Sequence, residues 1–485
     1  MAYEIRAIEL YVRETPPGRM AFSLGKTIGT RGAQQVETSP LGHVRLVLRA
    51  TSGRETFGCS GDRLSVRWFD KRPDRDESRK LRELVTLSHS ARDIYLEKPG
   101  VTTPFEKWRE CHPQIMREGR RQEQEDLTSS FASALMERAV LDAVCRLEGR
   151  SIFQMVKERR IGLDPGAVHP ELKNLDLAAV LPERPQTRFF IRHTVGGSDP
   201  LTPEDQPEGE RVNDGLPETL AEYIRRDGLR FFKVKVSGNV ERDLERLSRL
   251  WDVVLEAGQP AITLDANEAF TDLNQLDQFV RRLEEESLGL FQHILFIEQP
   301  LPRGLTFDAA TRKAIERICE RKPLIIDEAD GTVDAFKRAQ AIGYRGTSHK
   351  NCKGFFKSLL NYGLVHHYAQ QGHRMLMSGE DLQTLPVVPL QQDFAALGVL
   401  GLEHCERNGH HYNYGLSMLS EKDKANVGRR HPDLYEKRGD EWFLRIRDGA
   451  VECGSLQGPG FGVLDEPDWS SMTDMREWVR KRHSA

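Results

Sequence analysis

The sequence predicts an α/β protein: a modified (β/α)₈ TIM barrel with an N-terminal α+β capping domain. From about residue 187, short apolar runs alternate with amphipathic helical segments, and eight of these runs have the length of strands. Before about residue 120, strand-like alternation is mixed with helical periodicity. We therefore expect the capping domain over 1–150, the barrel over 151–420 and a C-terminal extension over 421–485. Periodicity alone also allows a doubly wound sheet.

In the capping domain, Ile5–Val12 and His43–Ala50 alternate like strands, and Asp126–Leu147 shows the three- and four-residue steps of a helix. Glu14–Gly32 is rich in Gly, Pro and Thr and is predicted to be a loop. The eight barrel strands are predicted over Phe189–His193, Phe231–Val236, Ala261–Asn267, Ile294–Pro300, Pro323–Ala329, Gly346–Lys350, Met375–Ser378 and Gly401–His404. In the extension, Trp442–Ile446 and Ala450–Cys453 are predicted to pair as a hairpin that turns near Asp448 and Gly449.

Composition restricts the partners and the compartment. The 485 residues include 70 Lys and Arg against 74 Asp and Glu, a net charge of −4 that offers no general basic surface for nucleic acid. No apolar run reaches the roughly 18–20 residues that cross a bilayer, and the start lacks a signal-peptide pattern. Seven scattered cysteines fit a reducing compartment. We expect a cytoplasmic protein with no nucleic-acid or membrane partner.

Polar side chains stand at the ends of five consecutive predicted strands, where TIM barrels carry their chemistry. In chain order these are Lys233 and Lys235, Asp265 and Asn267, Glu298, Asp327 and Glu328, and Lys350. Three acids on three consecutive strand ends would converge, and their repulsion requires a cation between them. Hard oxygen ligands favour Mg²⁺. Lysines that are partly desolvated beside a metal ion are expected to have a lowered pKa and to accept a proton near neutral pH.

These motifs, taken in order, resemble the enolase superfamily, and within it the muconate-lactonizing and dipeptide-epimerase subgroup of the mandelate racemase/muconate lactonizing enzyme family. The matching motifs are Lys233-Val234-Lys235 for KxK, Asp265-Ala266-Asn267 for DxN, Glu298-Gln299-Pro300 for EQP, Asp327-Glu328 for DE, and Lys350 for the sixth-strand lysine. The segment 458–462 resembles the tail that returns to the capping domain in that family. The glycine pair that follows the sixth-strand lysine in the family is here Lys353-Gly354-Phe355.

The resemblance implies a Mg²⁺-dependent enzyme that abstracts the proton α to a substrate carboxylate, giving a metal-stabilised enediolate. It implies that Asp265, Glu298 and Asp327 bind the metal. Lys235 and Lys350 would be acid/base groups on opposite faces of the substrate, with Lys233 as electrostatic support. Two opposed lysines favour a racemase or epimerase. A cycloisomerase or a dehydratase, both members of the same superfamily, is the alternative.

The small-molecule carboxylate substrate is expected to meet four further residues. Asn267 and Glu328 are interpreted as groups that orient ligands through hydrogen bonds. Glu380 is interpreted either as lining the pocket or as the partner of a helix N-terminus, and Phe22 either as closing over substrate or as packing in the capping domain. Lys353 is predicted to be a solvent or helix-cap charge. The family implies a homo-oligomer.

Two other functions compete with this hypothesis. A non-catalytic barrel that binds a small acid or a partner would have the same fold without the chemistry. An acid-sugar dehydratase of the mandelate-like branch would require a His–Asp pair on strands six and seven, which the sequence does not show. The sequence leaves open the identity of the substrate, the stereochemistry, the oligomeric state, and the roles of the insert 198–215 and of the C-terminal extension.

Overall fold

The computed structural model describes residues 3–20, 40–206 and 209–484. Its strands are β1 Tyr3–Arg13, β2 Leu41–Ala50, β3 Glu55–Arg63, β4 Gly100–Val101, β5 Arg188–Val195, β6 Phe231–Lys235, β7 Ala261–Asp265, β8 Ile294–Glu298, β9 Leu324–Ile326, β10 Gly346–His349, β11 Leu376–Gly379, β12 His404–Arg407, β13 Tyr435–Arg438, β14 Glu441–Leu444, β15 Ala450–Glu452 and β16 Thr473–Asp474.

The helices divide between the N-terminal part, the barrel and the C-terminal extension. They are α1 Val66–Phe69, α2 Glu77–Glu97, α3 Pro104–Arg121, α4 Asp126–Glu148, α5 Ile152–Lys157, α6 Leu177–Val180, α7 Leu220–Asp227, α8 Val240–Val254, α9 Leu273–Glu286, α10 Leu288–His293, α11 Arg303–Thr306, α12 Arg312–Arg321, α13 Ala335–Ile342, α14 Phe355–Gln370, α15 Val388–Leu400, α16 Gly409–Tyr412, α17 Glu421–Arg430 and α18 Met475–Ser484. No helix within the described ranges is both long and apolar enough to span a membrane.

Strands β5 to β12 form a closed parallel barrel. Each strand pairs with the next along the chain, and β12 returns to pair with β5, with His404 opposite Phe190 and Arg407 opposite His193. Helices separate successive strands, so the predicted (β/α)₈ barrel is confirmed and the doubly wound sheet is excluded. Closure matters for function because it brings the carboxyl ends of all eight strands to one rim.

The barrel helices form because their apolar residues recur on one face. In α8, Leu244, Leu247, Leu250 and Val254 are buried against the barrel, while the intervening residues are mostly charged. The side chain of Asn239 accepts a hydrogen bond from the backbone N–H of Arg242 and so begins this helix. This row of apolar residues determines which face of α8 turns toward the barrel, and packing on the barrel supplies most of the stability of the helix.

The N-terminal part is built on an antiparallel sheet in the order β16-β1-β2-β3, with β4 also paired to β1. Helix α4, predicted over Asp126–Leu147, packs on this sheet and is buried on nearly all sides. The C-terminal strand β16 adds to β1, with Thr473 opposite Val12. The predicted capping domain is thereby confirmed as a fold, while the boundaries 1–150, 151–420 and 421–485 stay a prediction.

Two predictions about strands near the end of the chain are wrong. The eighth barrel strand begins at His404 rather than at Gly401, because Gly401 ends α15 in a left-handed conformation with φ +68°. The predicted hairpin between Trp442–Ile446 and Ala450–Cys453 is wrong beyond its turn: Arg447 pairs with Ala450 across Asp448 and Gly449 as predicted, but the two strands do not continue to pair with each other. Instead β14 pairs with β13, and β15 adds antiparallel to the barrel strand β5. Both segments have strand character, but their partners lie elsewhere in the fold.

Candidate active site

Strand register places the predicted residues at one level of the barrel rim. Lys235 lies opposite Asp265 on the neighbouring strand, and Asp265 lies opposite Glu298 on the next. Glu298 in turn lies opposite Ile325, and Asp327 follows two positions later, so it projects to the same side as Ile325. Three acids on consecutive strands therefore stand between Lys235 and Lys350 around the rim, and all of these side chains are buried.

Lys233 lies at the centre of an anionic cluster. Its Nζ is 3.0 Å from Asp265 Oδ2, 2.7 Å from Glu298 Oε2, 2.6 Å from Glu380 Oε2 and 2.8 Å from Glu406 Oε2. The side chain has no exposed surface. These acids raise the pKa of Lys233 well above its ordinary value although burial lowers it. A lysine held as a cation by four carboxylates is suited to electrostatic support and not to accepting a proton.

The two lysines expected to act on substrate lie across the barrel from each other. Lys235 ends β6 and Lys350 follows β10, which are the second and sixth of eight strands and hence four apart in a closed ring. Lys235 Nζ donates to Asp265 Oδ2 at 2.5 Å, and Lys350 Nζ contacts Asp327 Oδ2 at 2.7 Å. Lys235 is 5% exposed and Lys350 4%, so neither ammonium faces bulk water.

Asp327 has both carboxylate oxygens engaged. Lys350 contacts Oδ2, whereas Lys353 Nζ lies 3.0 Å from Oδ1 and the hydroxyl of Ser348 donates to Oδ1 at 2.5 Å. The prediction that Lys353 is a solvent or helix-cap charge is wrong, because its side chain is 1% exposed. The cause is the turn at 351–353, which ends at Gly354 with φ +106° and directs Lys353 back under the rim.

The pKa values of the three predicted metal ligands are shifted in different directions. Burial raises the pKa of each carboxyl. For Asp265 the neighbouring Lys233 and Lys235 outweigh burial and lower the pKa, and for Asp327 Lys350 and Lys353 lower it strongly. Glu298 shows the opposite result, since Asp265 and Glu380 add to burial and raise its pKa well above the ordinary value.

The protein groups around Lys350 by themselves raise its pKa, and the predicted lowering beside a bound metal ion stays a prediction. Burial lowers the pKa of Lys350, but the carboxylate of Asp327 at 2.7 Å raises it by more, so the net shift is well upward. These neighbours therefore favour the protonated form of Lys350. A cation that neutralises the charge of Asp327 would favour loss of the proton.

Asn267 and Glu328 lie together beside the carboxylates. The amide of Asn267 donates to Glu328 Oε1 at 2.9 Å, and the backbone N–H of Asn267 donates to Asp265 Oδ1 at 2.9 Å. The indole of Trp68, from the N-terminal part, also donates to Glu328 Oε1 at 3.1 Å. Burial, together with the nearby Asp327 and Asp265, raises the pKa of Glu328 to about 7.

Trp68 connects the capping domain directly to the candidate site. Lys350 Nζ stands over its ring at 4.4 Å from the centroid, a cation–π contact. Trp68 lies in the short helix α1, with its ring at the barrel rim. One aromatic side chain therefore contacts both Lys350 and Glu328.

Glu380 lies inside the cluster instead of facing open space. Its carboxylate contacts Lys233, is paired with the buried guanidinium of Arg192, and accepts a hydrogen bond from Ser378. Glu406 is a residue that sequence reasoning missed. It contacts Lys233, accepts from Thr194 Oγ1 at 2.8 Å, and has its pKa held well below the ordinary value by Lys233 and Lys235 in spite of burial.

The only local signal for Glu406 is the polar exit of the eighth strand. Phe22 lies outside the described residues. A His–Asp pair does exist behind the rim, where His349 Nε2 is 3.5 Å from Asp393 Oδ1, but Asp393 belongs to helix α15. The other ring nitrogen, His349 Nδ1, lies 2.7 Å from Ser358 Oγ of α14, so the imidazole points away from the rim toward the helices. This pair is not the one that a mandelate-like site requires.

The predicted metal ligands are of the type that a hard divalent cation prefers. Asp265, Glu298 and Asp327 offer only oxygen, and among the described residues neither oxygen of the buried Glu298 takes part in a well-formed hydrogen bond. Within the same ranges, no three His, Cys, Asp or Glu side chains are already arranged around one metal position. The ammonium groups of Lys233, Lys350 and Lys353 supply the positive charge between the carboxylates.

The structure defines the class of protein as a closed (β/α)₈ barrel that carries lysines and acids at consecutive strand ends. Residues 215–358 match the family model described as "Enolase C-terminal domain-like". In sequence, the chain is 35% identical over 136 residues to the L-Lys-D/L-Arg epimerase of Methylococcus capsulatus, a match that covers 25% of this chain and 35% of the epimerase. The segment 215–358 thus matches the enolase C-terminal domain-like family, and the predicted resemblance to the enolase superfamily is confirmed over this segment.

Solved structures agree on the fold across nearly the whole chain. A dipeptide epimerase from Methylococcus capsulatus, complexed with Mg and the dipeptide L-Arg-D-Lys, superposes with a TM-score of 0.54 at 17% identity and covers 95% of this chain and 100% of its own. Muconate lactonizing enzyme from Klebsiella pneumoniae gives a TM-score of 0.53 at 15% identity, covering 99% of both chains. The N-terminal sheet is therefore part of the shared fold.

Proposed function

We propose that the protein is a Mg²⁺-dependent isomerase or lyase that moves the proton α to a substrate carboxylate, and that it acts as a racemase or epimerase. The observation that carries this proposal is the opposition of Lys235 and Lys350 across a closed barrel, each within 2.7 Å of a carboxylate. The family match and the epimerase relative support the reaction class.

Each residue is assigned a role according to its position in the site. Asp265, Glu298 and Asp327 would hold the metal ion, which when bound supplies positive charge for the oxygens of a substrate carboxylate. Lys235 Nζ and Lys350 Nζ hold and move a proton on opposite faces of a substrate carbon. Lys233 is kept charged by the acids around it. Lys235 and Lys350 are both buried, and the ring of Trp68 packs against Lys350.

Two-base chemistry has a signature that the other hypotheses lack. With separate enantiomers of N-acyl amino acids, dipeptides and hydroxy acids in D₂O and Mg²⁺, wild type should exchange the α-proton of both enantiomers of a substrate. We expect Lys235→Ala to abolish exchange for one enantiomer and Lys350→Ala for the other, because each lysine reaches one face. Lys422→Ala, at an exposed position of α17, is the matched control.

Each alternative gives a different result in this assay. Elimination or cycloisomerisation would consume one enantiomer and release a new product. A binding scaffold would show no exchange for any acid, with wild type and both variants indistinguishable, and that result would end the catalytic proposal. Cytoplasmic location and homo-oligomeric assembly stay predictions.

A further inference from the structure

The carboxylate of Asp327 is divided between two lysines, which the resemblance to known enzymes does not predict. Lys350 contacts Oδ2, on the side of the ring of Trp68. Lys353 and Ser348 hold Oδ1 from the other side, at 3.0 Å and 2.5 Å. Each oxygen of this acid therefore has its own positively charged partner.

Several contacts fix the position of Lys353. Its Nζ also donates a hydrogen bond to Ser348 Oγ at 2.7 Å and lies 3.4 Å from Asp330 Oδ2. The carbonyl of Lys353 accepts a hydrogen bond from Ser130 of α4 at 2.9 Å. Since backbone and ammonium are both anchored, this lysine does not share the freedom of an exposed one.

We propose, on the basis of the proposed function, that Lys353 is a positioning residue that reserves Oδ1 of Asp327, so that only Oδ2 is offered to a divalent cation and to Lys350. The ammonium of Lys353 limits Asp327 to one ligating oxygen and places a like charge beside the cation. Lys353 thus weakens cation binding in exchange for a fixed orientation of Asp327.

The test is titration calorimetry of the full chain with Mn²⁺ alone and with Mg²⁺ alone. Lys353→Met keeps the length of the side chain and removes its charge, and we expect it to bind the cation roughly tenfold or more tightly than wild type. Lys353→Arg keeps the charge and should stay within about threefold of wild type. Ser348→Ala removes only a neutral donor from Oδ1, and any rise in affinity should be clearly smaller than that of Lys353→Met.

Thermal unfolding of each variant verifies that it is folded; should Lys353→Met not fold, Lys353→Gln takes its place with the same expectation. Unchanged or weaker binding by the uncharged variant overturns the inference while leaving the metal-dependent proposal standing. An equal rise in Ser348→Ala also overturns it, because charge is then not the cause. If only the uncharged variant binds Mn²⁺, the inference is supported and metal dependence of wild type fails. If neither binds, both fail.

Discussion

Lys233→Met should be among the most destabilising single substitutions in the barrel. The change removes an ammonium that lies 2.6–3.0 Å from four carboxylates, with no exposed surface on the side chain. At an effective dielectric constant of about 20, each such contact is worth roughly 6 kcal/mol of gross attraction. Burial of the charge and mutual repulsion of the acids offset most of this.

The net loss expected in Lys233→Met is about 3–5 kcal/mol of unfolding free energy, the usual cost of leaving a buried charge unpaired. Urea unfolding followed by far-UV circular dichroism measures it, with Lys422→Met, at an exposed position of α17, as the matched control within about 0.5 kcal/mol of wild type.

A second substitution tests the cause. In Lys233→Met, Asp265 keeps its contact with Lys235 and Glu380 keeps Arg192. Adding Glu406→Gln removes the charge of a further acid that Lys233 contacted, so the double variant should be more stable than Lys233→Met alone by about 1–3 kcal/mol. A loss below about 1 kcal/mol in the single variant would refute the reasoning, as would a double variant whose losses simply add.

Three further predictions concern buried polar groups and their contacts. Burial is the main cause that raises the pKa of Asp62 to about 7, so the folded state binds more protons than the unfolded state between about pH 4 and 7 and this group's contribution to stability falls as pH rises. The advantage of wild type over Asp62→Asn in urea unfolding should therefore shrink by up to about 1.4 kcal/mol per pH unit from pH 5 to 7 and then level off, whereas a constant difference would contradict the assignment. Trp68→Phe keeps an aromatic face under Lys350 but loses the N–H donated to Glu328, and should cost about 1.5–3 kcal/mol in the same assay; a cost equal to that of an exposed-site change would refute the hydrogen bond. Arg13→Met should cost about 3–5 kcal/mol, because it leaves the buried Asp423 unpaired, and a double-mutant cycle with Asp423→Asn should show non-additivity.

Local pattern was sufficient for the alternation of strands and helices and for the residues at the strand ends, whereas closure into a barrel was decided by the pairing of β12 with β5. Side-chain alternation places Lys233 and Lys235 on one face of a strand whatever its neighbours are. A proline two residues after Glu298 ends that strand in any fold. Because both rules act within a few residues, the sequence by itself determined which side chains stand at the strand ends.

Only the tertiary structure decided which of these groups meet. Lys353 was expected in solvent, yet the turn before Gly354 brings it to Asp327, and Glu406 joins Lys233 because barrel closure places the eighth strand beside the first. Trp68 reaches Lys350 from another part of the chain. The physical reason is that pairing partners and buried charge contacts depend on segments that are distant in sequence, and no short-range periodicity records them.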